Sequence, residues 1–150
     1  MTISWIELPV PEELEVRQVY GFIFNTDGKI LVLADGPTHN LPGGKPENAE
    51  TFVQTLKREA MEESQALIGS TEYLGYQHIG GSEEFAQVRH AAMLDHLLPA
   101  AQDINTGREY IRLWVEPALV NGLLGWGQMG DRQVASAVRA ATRVGSWGRT

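Results

Sequence analysis

The sequence predicts an α/β domain in which helices pack on one mixed β-sheet. Three observations carry that prediction. Two apolar runs flank a turn in "VRQVYGFIFNTDGKILVLADG". A segment with helical periodicity follows a loop rich in Gly and Pro. Two further strand-like runs, another strand and a closing amphipathic helix complete the chain. The order strand–strand–helix–strands–helix favours a single mixed sheet with helices on it.

Each element has a local reason. Residues 1–15 read as an extended lead-in, because Pro9 and Pro11 block a helix there. The "NTDG" between the first two apolar runs is a hairpin signal. "GPTHNLPGGKP", residues 36–46, reads as a loop. A helix should start at Glu47 or Glu50 and end near Gln65. "TEYLGYQHIGG" and "AQVRHAAMLDHLL" read as strands separated by a turn at residues 80–84. "PAAQDINTGRE" is a polar connection, and "YIRLWVEPAL" is a strand. "DRQVASAVRAATRV" closes the chain as an amphipathic helix with Asp131 as its expected N-cap. "LLGWGQMGDRQ" before it contains glycines that permit bends, and could form a lid or rim.

The chain has 150 residues, the size of one domain, so residues 1–150 are expected to form one unit. It has no cysteine, which excludes disulfides and thiolate metal sites. Any metal must use oxygen or histidine ligands. The formal net charge of −7 does not suit a nucleic acid polymer. No apolar run is long enough to cross a bilayer, so no membrane partner is expected. Met1 is not followed by a basic segment and an apolar core, and a cytoplasmic location is the expectation.

The first long helix poses a chemical question. At 100° per residue, Ala49, Phe52, Val53, Leu56 and Ala60 form one stripe that should face the sheet. Glu59 lies at the edge of that stripe, Glu63 near its middle, and Glu62 toward solvent. Like charges at i,i+4 destabilise a helix by roughly 0.2–0.5 kcal/mol. At about 6 Å and an effective dielectric near 20, each unscreened pair repels by roughly 3 kcal/mol. The helix C-terminus, already partly negative, adds to the cost. Lys57 and Arg58 offset some of this cost, but they precede the cluster and should sit on other faces. A solvated acidic face accounts for Glu62 but poorly for Glu63. A hard divalent cation accounts for all three, since Mg²⁺ prefers oxygen ligands. Gly43 and Gly44 after Pro42 let backbone approach a ligand closely.

These residues resemble the Nudix box, G-x5-E-x7-R-E-U-x-E-E-x-G-U, where U is aliphatic. Gly44 is followed after five residues by Glu50, and after seven more by Arg58 and Glu59. Ala60, Met61, Glu62, Glu63, Ser64, Gln65 and Ala66 complete it, so the motif covers residues 44–66. Gln65 stands where the pattern has Gly, a position suited to a left-handed C-cap. The resemblance implies a Nudix-type α/β/α sandwich with a mixed β-sheet. It implies a hydrolase dependent on Mg²⁺ or Mn²⁺ that cleaves the diphosphate linkage of a nucleoside diphosphate joined to another moiety. A nucleoside triphosphate, a nucleotide sugar and ADP-ribose are all of that class. A homodimer is compatible with it. The resemblance makes Glu59, Glu62 and Glu63 metal ligands, with the Gly43 carbonyl a further ligand. Glu50 and Arg58 become a structural ion pair, and Arg58 thereby joins the three glutamates in the catalytic set. Glu63, or a carboxylate outside the box, becomes the general base.

Outside the box, His39, Arg89 and Glu109 are candidate substrate contacts. Arg108 and Arg112 are further candidates for phosphate, and Tyr20, Tyr76 and Trp114 for stacking on a base. Glu83, Glu84, Asp103 and Glu109 could each bring a further carboxylate from a loop. The competing reading is a nucleotide-binding or regulatory module that keeps the fold without turnover. The intact carboxylates favour the enzyme. A related isomerase would need a cysteine, which is absent.

Overall fold

The computed structural model describes residues 1–144, so the last six positions of the expected domain lie outside the described residues. The strands are β1 (Thr2–Ile6), β2 (Val16–Phe24), β3 (Ile30–Asp35), β4 (Thr38–Asn40), β5 (Gly43–Gly44), β6 (Ala66–Gly80), β7 (Phe85–Leu97) and β8 (Ile111–Val115). The helices are α1 (Phe52–Ser64), α2 (Pro117–Leu124) and α3 (Gly127–Val144). They build an eight-stranded sheet in the order β1-β6-β7-β2-β3-β4, with β5 pairing β2 and β8 pairing β3. The β2–β7 pair is parallel, while β1–β6, β6–β7 and β3–β8 are antiparallel, so the sheet is mixed.

Strand alternation sorts the apolar residues onto the two faces. On one face Phe22, Phe24, Ile30 and Val32 pack with Val120, Val134 and Ala137 of α2 and α3. On the other, Val19, Ile23, Leu31 and Leu33 pack with Leu56 and Ala60 of α1. The result is an α/β/α sandwich. Gly21 shows how closely α1 approaches: a Cβ there would lie 2.8 Å from the Leu56 methyls.

The predicted hairpin forms, with Phe24 opposite Ile30. The Asn25 side chain holds the turn by accepting from the N–H groups of Asp27 and Lys29. Beyond that pair β2 and β3 separate, and residues 38–44 enter as β4 and β5. The predicted loop thus contains two short strands. Their pairing partners lie outside the segment, so its composition did not reveal them.

Helix α1 begins later than predicted. Asn48 and Ala49 have φ of 46° and 61°, which takes Ala49 out of the helix. Thr51 is the N-cap and forms a capping box with Gln54. The buried positions are Thr55, Leu56, Ala60 and Ser64. Two corrections follow at the C-terminal end of the chain. "EPAL" is not strand: Pro117 sits in the first turn of α2. Asp131 is not an N-cap, because α3 already starts at Gly127. Its carboxylate accepts from Asn121 Nδ2 at 2.9 Å, tying the two helices together.

Gln65 caps α1 in the left-handed conformation, with φ 54° and ψ 33°. Its side chain is not idle. Oε1 accepts from Ala101 N at 3.0 Å, and Nε2 donates to Glu62 O. Glycine would relieve roughly 1 kcal/mol of left-handed strain but lose bonds of similar worth. Gln65→Gly is therefore expected to melt within about 0.5 kcal/mol of the parent. Gln65→Ala keeps the strain and loses the bonds, so it should cost about 1 kcal/mol. Urea denaturation of both variants checks this. An alanine variant as stable as the parent would remove the role given to the side chain.

Candidate active site

The site lies where β2 and β3 part and the C-terminal half of α1 faces the β4–β5 segment. Gly43 sits with φ 154°, a value L side chains rarely adopt. Its N–H donates to Glu63 Oε1 at 2.9 Å. Gly44 leaves room for Glu59: a Cβ there would lie 2.6 Å from the Glu59 carboxylate carbon. The glycine pair thus brings backbone against two carboxylates that α1 presents one turn apart.

Arg58 is the hub of the acidic cluster. Its Nε donates to Glu50 at 2.8 Å, and its Nη1 reaches Glu59 at 2.8 Å and Glu62 at 3.1 Å. Its Nη2 donates to the Lys45 carbonyl at 2.9 Å. Arg58 offsets part of the cluster's charge, as its position in the sequence suggests, but it does so by folding across the cluster and not from another face. Bonds from Arg58, then from the Glu47 N–H, hold the Glu50 carboxyl down at about 2. The sign of the pH dependence follows. A depressed carboxyl contributes stability above its ordinary value of 4.5, and that contribution is lost as pH falls through about 2. Glu50→Gln is expected to flatten the acid limb of a stability–pH curve. It should also cost about 1–3 kcal/mol at pH 7, the scale for breaking a partly buried pair. An unchanged acid limb would show that the pair does not matter.

Glu63 is in the opposite situation. Burial pushes its carboxyl up to about 8, against the Gly43 bond and with help from Glu59, Asp103 and Glu62. Burial also raises Glu59, with Arg58 opposing. Asp103 comes from the loop before β8 and is buried. Its Oδ1 accepts from Asn105 N at 2.7 Å and from Thr106 N. The other loop candidates lie elsewhere. Glu83 pairs with Arg17 at 3.2 Å and Glu84 with His78 at 3.0 Å.

A cleft of about 220 Å³ opens beside Glu63, bordered among others by Tyr20, Leu33, Asn40, Arg108 and Tyr110. Arg108 is anchored at its rim by Asp35 at 3.0 Å. Asn40 and Tyr110 were not singled out in the sequence, because nothing local shows that their segments meet. His39 does not border the cleft. It alternates with Thr38 and Asn40 on β4, which do border it, and so faces the other way. Glu109 is exposed and also stands outside the lining. Arg89 is not a surface arginine: it is 2% exposed. It donates to Gln133 Oε1 at 2.9 Å and lies between the rings of Tyr20 and Trp126. Trp126 is the use the structure makes of the glycine-flanked segment 121–130. Arg112 holds the end of α1 through the carbonyls of Ser64 and Leu98. Tyr76 is core, and Trp114 packs against the same cluster.

Among the described residues, no group of three Asp, Glu or His side chains converges as metal ligands. Arg58 Nη1 stands between Glu59 and Glu62, in the place of a cation. The donor set nevertheless fits a hard divalent ion. It consists of oxygens alone, two carboxyls in it are raised by burial, and Gly44 leaves a cradle that a Cβ would fill.

The NUDIX domain family matches residues 14–137, and the chain belongs to that family, sharing its hydrolase class. Members of the family generally use divalent metal ions. No curated protein matches the chain by sequence. Three solved structures are similar in fold. A variant of the Bacillus subtilis pyrophosphohydrolase BsRppH has a TM-score of 0.70 at 18% identity, covering 97% of this chain and 92% of that one. A NUDIX hydrolase from Nitrosomonas europaea has 0.67 at 17%, covering 85% and 90%. The C. elegans Ap4A hydrolase has 0.57 at 17%, covering 86% and 99%. Among the described residues, no helix is long and apolar enough to cross a membrane.

Proposed function

We propose that this protein hydrolyses the diphosphate linkage of a nucleoside diphosphate joined to another moiety, with Mg²⁺ or Mn²⁺. One observation carries the reading: a half-buried Glu63 carboxylate, held by the Gly43 N–H, borders the cleft one helical turn from Glu59. The names of two fold neighbours, a pyrophosphohydrolase and an Ap4A hydrolase, support it. Glu59, Glu62, Glu63 and the Gly43 carbonyl would hold the ion. When bound, the ion neutralises phosphate charge and makes an attacking water more acidic.

The remaining roles belong to the chain. Glu63, or a carboxylate outside the box, takes a proton from the attacking water. The Glu50–Arg58 pair keeps the loop and α1 in register. Arg108 offers a cation to phosphate at the rim, and Asn40 and Tyr20 flank the organic part of the substrate. Arg89 acts from behind Tyr20 without touching substrate. Asp103 adds a further carboxylate to the cluster.

The competing reading is a nucleotide-binding module without turnover. The placement of Arg58 between Glu59 and Glu62 favours it. One screen separates the two. Phosphate release is measured with Mg²⁺ across nucleoside triphosphates, nucleotide sugars, ADP-ribose and dinucleoside polyphosphates. Release that stops in excess chelator supports the enzyme, and calorimetry should show a divalent site weakened by Glu59→Gln. Saturable nucleotide binding with no release from any substrate would establish the module instead.

A further inference from the structure

The cleft beside Glu63 has a wall built by β3 and β4. Leu33 and Leu41 are buried in it, and Asn40, which stands opposite Leu33, is exposed. The volume of about 220 Å³ is below the roughly 300–1,000 Å³ of drug-sized sites, so the cleft takes one ring system and not a whole nucleotide.

The Asn40 amide can be turned only one way. The Leu41 N–H donates to it at 2.9 Å, and a backbone N–H must meet the amide oxygen. Oδ1 is thereby engaged by the chain itself. What remains for the cleft is the NH2 group, which only donates. It bears on the Tyr20 phenol, another wall of the same cleft. Burial raises that phenol, with Arg89 and then a hydrogen bond from Asn40 opposing, so at neutral pH it keeps its proton and is itself a donor. Of the two carboxylates that border the cleft, Glu63 belongs to the acidic cluster and Asp35 is taken by Arg108 at 3.0 Å.

A ring seated against Asn40 and Tyr20 therefore meets two donors side by side. The N7 and O6 positions of a 6-oxopurine are two adjacent acceptors. Adenine carries N7 beside an amino group, which would set a donor against the Asn40 NH2.

We propose that Asn40 is a specificity-determining residue that, with the Tyr20 hydroxyl, selects a 6-oxopurine nucleotide over a 6-aminopurine one. This rests on the reading that the organic part of a nucleotide enters this cleft.

Inosine and adenosine monophosphates provide the test. They differ only in the base and contain no diphosphate linkage, so selection is read without turnover. Each is titrated calorimetrically into the full-length protein with Mg²⁺ at pH 7.5. The inosine nucleotide should bind at least about tenfold more tightly, the scale of one bidentate base contact. Asn40→Asp keeps the bond from the Leu41 N–H and puts an acceptor in place of the NH2 donor, so the preference should invert. The added charge acts equally on both ligands and leaves their ratio alone. A role confined to holding Leu41 would leave the ratio as in the parent. A second measurement needs no variant: guanosine monophosphate should bind the parent roughly fivefold more tightly than its 7-deaza analogue, which lacks the N7 acceptor. Equal binding of the inosine and adenosine nucleotides to the parent would overturn the proposal. So would binding of neither, or a preference that survives Asn40→Asp. Failure of the hydrolase reading has a different signature: the base preference stands, and no phosphate is released from the corresponding triphosphates.

Discussion

Glu63→Gln is expected to lower turnover by roughly 10²-fold or more, the scale for losing a general base or a group that positions a metal. Its effect on stability should depend on pH and metal. The parent carboxyl is pushed from an ordinary 4.5 up to about 8, chiefly by burial. A group raised in the folded state contributes stability that is fully present below its unfolded value and lost as pH rises through its folded value. In chelator the parent should therefore weaken between about pH 4.5 and pH 8 through this residue. The glutamine variant keeps the shape and still accepts from the Gly43 N–H, so it should escape that loss. At pH 8 in chelator it should be the more stable protein by about 1–3 kcal/mol, discounted for partial solvent access. In Mg²⁺ the order should reverse, because the parent alone gains the full binding free energy of the ion. Denaturation curves at pH 5 and pH 8, with and without Mg²⁺, are compared with turnover. A variant that is destabilised in chelator yet fully active would sink the catalytic reading of α1.

Gly43→Ala should have the largest structural effect of any single methyl added at the site. The new Cβ would meet Val19 O at 2.2 Å and Tyr20 Cα at 2.6 Å. Both are backbone atoms of β2, which cannot step aside without breaking the pairing of Tyr20 with Gly43. The backbone strain at φ 154° adds to this. A loss of about 3 kcal/mol or more is expected, together with loss of activity as the Glu63 anchor moves. Gly44→Ala makes the informative contrast. Its Cβ would press on the Glu59 carboxylate, a flexible side-chain end, at 2.6 Å. The fold should survive within about 1 kcal/mol while turnover falls, because only Glu59 is displaced. Thermal melts beside turnover distinguish the two. If Gly43→Ala melted within about 1 kcal/mol of the parent, the β2–β5 contact would not be the rigid support described above.

The parts of the site that were legible in the sequence share a property: their geometry is set within one element. Glu59, Glu62 and Glu63 lie on adjacent turns of one helix. Their mutual proximity follows from 3.6 residues per turn, whatever the rest of the chain does. The pair Glu50–Arg58 was legible only through its spacing in a known motif, since it spans the helix start. The left-handed C-cap at Gln65 came from the same source, and the structure places it there. The helix start itself was misplaced because Glu47 and Glu50 resemble a first turn. The capping box of Thr51 and Gln54 begins the helix later.

Local periodicity and the motif spacing thus determined the sandwich, the hairpin, the existence of α1 and the carboxylate cluster. Only the tertiary structure decided which distant groups join that cluster. It put the Asp103 loop near enough to Glu59 and Glu63 for its charge to raise their carboxyls, and paired Glu83 and Glu84 elsewhere, because a loop's destination depends on what it packs against. It turned His39 away from the cleft, because a three-residue strand has no periodicity of its own to read. It buried Arg89 between Tyr20 and Trp126, residues 106 positions apart in sequence, where hydrophilic character alone predicts exposure. The reason is the same in each case. Pairing and burial across the sheet outweigh local propensity, and they are fixed by partners that lie far along the chain.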